Sequence, residues 1–180
     1  MHRTSTLALT TTAAAVLLSL PLGAAAQQSK PSAAAAAAAT YNLRSITPEA
    51  ALRAAQAALR SCAGTGYQVA VAVTDRGGNA LVMLRDRLAG PHTPQTAIDK
   101  AWTALSFRMD TLAFAKATQA GEGASGIRHL PRVVAIGGGR PIEAAGATVG
   151  AIGISGAPGG EADDVCARAG IAAIQDDLDF

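Results

Sequence analysis

Two histidines and the arginines near them are the first candidates for chemistry. His92 lies in a loop beside Pro91, just before a predicted helix start. His129 lies in Arg128-His129-Leu130-Pro131, just before a predicted strand. Imidazole ligates haem iron, and guanidinium pairs with a propionate carboxylate. Arg85, Arg87 and Arg128 are the arginines placed for that pairing. The plainer alternative is two solvated loop histidines, since loops carry polar residues by default. Asp75, Arg85, Asp86 and Glu143 put charge near predicted turns, where active sites commonly lie, but no pair has the spacing of an acid/base motif.

Other motifs carry less. Gly121 to Gly126 match G-x-G-x-x-G, but follow a predicted helix and enter a loop. A dinucleotide fingerprint needs a strand before it and a helix after it. Ser155 sits in Gly-Ile-Ser-Gly-Ala, which lacks the nucleophile-elbow spacing. His92, His129 and the two cysteines fit no zinc-ligand spacing. Asp163 and Asp164 stand near the start of the last predicted helix, where acids serve the helix dipole.

These groups must be positioned by a small set of elements. Thr47-Pro48-Glu49 caps and opens a helix whose apolar face carries Ala51, Leu52, Ala55, Leu59 and Cys62. Val69, Val71 and Val73 alternate with alanines in a strand covered on both faces. Asp75 to Asn79 turn the chain into a returning strand, 80–85. Thr93-Pro94 opens a second helix, and a shorter one spans Thr111 to Gln119. Strands are predicted at Val133–Ile136, Pro141–Ala144 and Val149–Ser155, and a final helix opens at Glu161. Hairpins with helices at the beginning, middle and end predict an α+β fold, an antiparallel sheet with helices packed on it.

Residues 1–26 read as a cleavable signal peptide: Arg3, an apolar run densest from Ala13 to Leu22, then Ala24-Ala25-Ala26. The run is too short for a spanning helix, and Pro21 interrupts it. Residues 27–46, with seven consecutive alanines, read as a low-complexity tether, and 47–180 as the domain. The expected product is periplasmic or secreted, with no transmembrane segment. Without the signal the chain has 14 basic and 13 acidic residues, and no basic run. With one Trp, two Tyr and three Phe, it lacks both the basic face and the stacking surface of a nucleic-acid binder. In an oxidising compartment Cys62 and Cys166 favour a disulfide over two buried thiols.

The stretch Val69 to Gly78 resembles the first hairpin of the GlcG/HbpS-like haem-binding family. So do Lys100-Ala101-Trp102-Thr103-Ala104, Gly137 to Ile142, Val149 to Pro158, Asp163-Asp164 and Cys166 to Gly170, in the expected order across most of 47–180. The resemblance implies an antiparallel sheet of about five strands flanked by helices, and symmetric homo-oligomers, often octamers. Some exported relatives bind haem, one type is linked to redox sensing, and a related domain ends some cobalamin adenosyltransferases. Iron ligands differ between branches, so His92 and His129 rest on their own chemistry.

Three readings remain open. One is an exported oligomer that binds haem or another tetrapyrrole, for iron handling or redox sensing. The second is a small-molecule enzyme or accessory subunit. The third is a structural or sensory module that reaches a partner through its tether.

Overall fold

The computed structural model describes residues 39–178. The signal peptide and most of the tether lie outside them. Residues 41–46, which the sequence assigns to the tether, are part of the domain. Ile46 is buried in the core and donates its amide to the Val149 carbonyl at 2.9 Å.

Helix α1 spans Pro48–Gly64, and Thr47 caps it by accepting from the Ala50 amide. Strands β1 (Ala70–Thr74) and β2 (Ala80–Arg85) form the expected hairpin. Helices α2 (Thr93–Phe107) and α3 (Thr111–Ala117) follow. Then come β3 (Gly139–Ala144), β4 (Ala147–Ser155), α4 (Gly160–Ala172) and the short α5 (Gln175–Leu178). The sheet is antiparallel throughout, in the order β2-β1-β4-β3.

Side-chain size along the two central strands sets the layers. Val71 and Val73 of β1, with Ile152 and Ile154 of β4, join α1 and α4 in one core. On the opposite face β1 offers Ala70 and Ala72, which pack on Ala97 of α2. There β4 offers Ala151, packed on Ala101, Ala104 and Leu105. The alternation is period-two, as a strand requires, with bulk on one face and small residues on the other. The small face lets α2 lie close. At Gly153 a Cβ would overlap the Ala97 carbonyl, so only glycine fits.

One strand expected from the sequence is absent. The described sheet has four strands, not about five, and Val133–Ile136 is irregular. Here β4 ends at Ser155, and the Ile154 amide is already bonded to Gly138. Residues before Gly138 therefore have no strand edge to pair with. They are tied to α2 instead. Thr103 Oγ1 accepts the Val134 amide at 3.0 Å, Arg132 pairs with Asp99 at 3.1 Å, and its guanidinium lies 4.8 Å over the Trp102 ring.

The β1–β2 turn supplies a small test of the fold. Asp75 accepts hydrogen bonds from the Asn79 amide (2.8 Å) and side chain (3.1 Å). Partial burial pushes its carboxyl upward, but bonds from Asn79, Gly77 and Gly78 outweigh that and hold it below its ordinary value. A lowered value means stability present above the unfolded pKa and lost as pH falls through the folded one. Asp75→Ala is expected to cost about 1 kcal/mol near neutrality and almost nothing in strong acid, read by urea denaturation. An equal cost at both pH values would refute the carboxylate's role.

Candidate functional site

On helix α2, Lys100 falls on the apolar stripe with Ala97, Ala101 and Ala104, at the spacing that faces a core. It is 2% exposed, and a buried ammonium needs partners. Its Nζ donates to Asp163 Oδ2 at 2.7 Å and to the Ile154 carbonyl at 2.9 Å. Asp163 Oδ1 accepts the Ala157 amide at 3.0 Å. The pair thus pins the glycine-rich loop before α4 onto the end of β4. Burial pushes the Asp163 carboxyl above its ordinary value, and the charge and hydrogen bond of Lys100 and the Ala157 amide only partly offset it.

This pair forms the floor of a cleft of about 390 Å³. The wall on one side is the turn before α2, with Gly90, His92 and Thr93; on the other it is Ser155, Gly156 and the first turn of α4. Ile136 adds a half-exposed apolar edge. His92 sits at the mouth and is exposed, and it precedes α2 without capping it through its side chain. Its ring lies against Gly90, where a Cβ would meet the imidazole.

The other predicted site residues are not gathered there. His129 ends a 3₁₀ turn, Ser125–His129, and does not line the cleft. Arg128 spends its guanidinium on Thr118 Oγ1 and the Ala115 carbonyl, tying that turn to α3. Arg85 ends β2 and Arg87 follows in the loop, both exposed. Asp86 accepts the Leu88 amide at 3.1 Å. Gly121 to Gly126 run from the end of α3 into the 3₁₀ turn, not from a strand into a helix.

Asp163 and Asp164 do more than serve the helix dipole. Both are buried, and Asp164 accepts from Arg140 at 2.9 Å and Arg168 at 2.8 Å. The sequence held one signal for the Lys100 site: a lysine on an otherwise apolar helical stripe. A groove of about 650 Å³ runs past Arg108, Arg140 and Arg168. Asp110, Glu143 and the underlying Asp164 balance those charges, and no histidine lines it. The smaller cleft therefore carries the better chemistry. Among the described residues no group of three or more His, Cys, Asp or Glu could hold a metal ion.

Cys62 of α1 and Cys166 of α4 are bonded, closing the expected disulfide between the two helices on the same face of the sheet. No described helix is long and apolar enough to cross a membrane.

A four-stranded antiparallel sheet between helical layers, with a charged, glycine-walled cleft at one end of the central strands, defines an α+β domain. Residues 46–172 match the family described as haem-degrading protein HbpS-like, and the chain belongs to that family. It is 40% identical to a double mutant of Streptomyces reticuli HbpS, over 75% of this chain and 90% of that one, with a TM-score of 0.71. It is 30% identical to the protein in a crystal structure of a PduOC–haem complex, over 72% of this chain and 95% of that one, with a TM-score of 0.69. It is also 34% identical, over 63% of this chain and 82% of the relative, to an uncharacterised 15.0 kDa protein of the dhaT–dhaS intergenic region of Citrobacter freundii.

Proposed function

We propose that this protein is an exported, oligomeric haem- or tetrapyrrole-binding protein, and that the cleft beneath His92 is its binding site. The observation that carries the reading is the exposed imidazole at the mouth of that cleft. Similarity to a protein crystallised with haem supports it. The donor chemistry fits: imidazole is a haem-iron ligand, and the glycine-walled cleft with Ile136 offers flat, partly apolar surface. When bound, haem would supply redox chemistry at its iron. The chain's own part is to ligate through His92, to seat the ring edge, and to hold the Lys100–Asp163 floor rigid.

Arg85 and Arg87 are retained as candidates for the propionates. Arg128 is less suited, because its guanidinium is already engaged. His129 remains the alternative ligand. The disulfide supports export, since such bonds persist in oxidising compartments. Residues 1–26 act as the signal, the tether follows, and the domain assembles as a homo-oligomer, with an octamer the size to test.

Haemin titration of the purified protein tests the reading. A saturable Soret shift is expected at low-micromolar haemin, lost in His92→Ala and kept in His129→Ala. A weak, non-saturating change shared by both variants would reduce the interaction to hydrophobic adsorption and refute the site.

A further inference from the structure

Ser155 is an unexplained polar group in this cleft. It is 5% exposed, lines the cleft, and its hydroxyl makes no hydrogen bond with any described residue. It follows Gly153 on the α2 face of β4, so its side chain meets the Thr93–Lys100 wall. Its oxygen opens into the cleft rather than being sealed in, since no fully buried side-chain oxygen or nitrogen among the described residues lacks a partner. Beside it begins α4, a helix of 13 residues. Its capping position is Gly159, which has no side chain to accept from the first turn. The first helix-type bond runs from the Asp163 amide to Gly159, so the amides of Gly160, Glu161 and Ala162 have no acceptor among the described residues. Lys100 adds a third donor type: Nζ has three hydrogens and two protein acceptors.

We propose that the cleft binds an oxyanion, a carboxylate or phosphate group, between Ser155 Oγ, the spare N–H of Lys100 and the first-turn amides of α4. The inference deepens the reading of this cleft as the ligand site. For a tetrapyrrole, the oxyanion is one propionate. Helix N-termini favour anions through their free amides and dipole, and the Ser155 hydroxyl and the Lys100 ammonium line the same cleft. Two carboxylates stand nearby. Asp163 is neutralised by Lys100, and both its oxygens are occupied. Glu161 is exposed, and its carboxylate lies beside Gly159, where it competes with an incoming anion.

The test is calorimetric titration of the purified protein with inorganic phosphate at fixed ionic strength. Saturable binding is expected. Ser155→Ala should weaken it about tenfold, the size of one hydrogen bond to a charged group. Ser155→Asp should abolish it, and the exposed Glu161→Gln should tighten it. The tightening guards against misreading a misfolded Ser155 variant. No saturable binding, or binding unchanged by all three substitutions, overturns the site. Haemin and its dimethyl ester separate the two sources. Tighter binding of the free acid, with phosphate competing, identifies a propionate. Equal binding of both porphyrins, with the phosphate results intact, refutes only the propionate assignment; binding of neither refutes the haem reading and leaves the site to a small free anion.

Discussion

Lys100→Met is expected to destabilise the domain by about 3–5 kcal/mol at neutral pH, the cost of stranding one member of a buried ion pair. Asp163 would keep only the Ala157 amide as a partner, inside a site where its side chain is 4% exposed. The loss should shrink as pH falls. Burial already raises the Asp163 carboxyl, and removing the lysine removes its largest offset, so the folded value rises further. A group whose folded pKa lies above its unfolded one contributes stability fully present below the unfolded value and lost as pH rises through the folded one. The variant is therefore most stable in mild acid, where Asp163 is neutral. Adding Asp163→Asn should recover most of the loss and flatten the pH profile, because the amide oxygen still accepts from Ala157 and no charge remains to be solvated. Urea denaturation of the single and double variants across pH makes the comparison. A neutral-pH loss below about 1 kcal/mol, with no pH dependence, would show that the pair does not hold the cleft floor.

Removing the disulfide should have an effect of similar size. Cys62 and Cys166 are 104 residues apart, and opening so long a loop costs about 5 kcal/mol in the chain-entropy model. Both residues are buried, at 0% and 3% exposure, so two thiols or two alanines would sit in the α1–α4 seam without stranding a charge. The folded contacts should survive. At Gly170 a Cβ would crowd Ala54 and Ala58 across that same seam, so the helices stay in close contact without the bond. The effect then falls on the unfolded chain, which expands when the cross-link is gone. Cys62→Ala/Cys166→Ala should lower stability by about 5 kcal/mol and steepen the denaturant slope, since unfolding exposes more surface. Reductant should reproduce the change in the parent protein and leave the double variant untouched. A loss under about 1 kcal/mol would mean that residual structure in the unfolded chain already holds the two residues near each other, so the cross-link removes little entropy.

Both results bear on the binding reading. The ion pair ties α2 to the α4 loop, and the disulfide ties α4 to α1. Of the proposed oxyanion donors, the first-turn amides of α4 sit at the end that the ion pair holds, and Lys100 is itself a donor. A Lys100→Met protein that stays folded in mild acid should thus bind phosphate more weakly than the parent under the same conditions.

Local rules carried much of the architecture. Thr47-Pro48 and the Asp75–Asn79 turn act within a few residues, so they were readable in the chain and stand in the structure. The Val/Ala alternation of β1 was written there too, as a period-two pattern of size, and the stretch Val149–Ser155 was readable as a strand. The cysteine pairing was expected from two cysteines in a chain whose start reads as an export signal, and it stands in the structure. What the chain did not show was which long-range partners each group meets. Val133–Ile136 has strand-like residues but no strand edge within reach, because β4 stops at Ser155. Lys100 and Asp163 are 63 residues apart, so nothing local to either names the other as its partner. Their pairing, the spare hydroxyl of Ser155 and the open first turn of α4 coincide only once the sheet brings α2 and α4 to the same end. The sequence determined most of the elements, because their causes are local, and missed at Val133–Ile136, where the cause was a distant strand end. The tertiary structure decided the site, because burial removes water and leaves each polar group to find its partner across the fold.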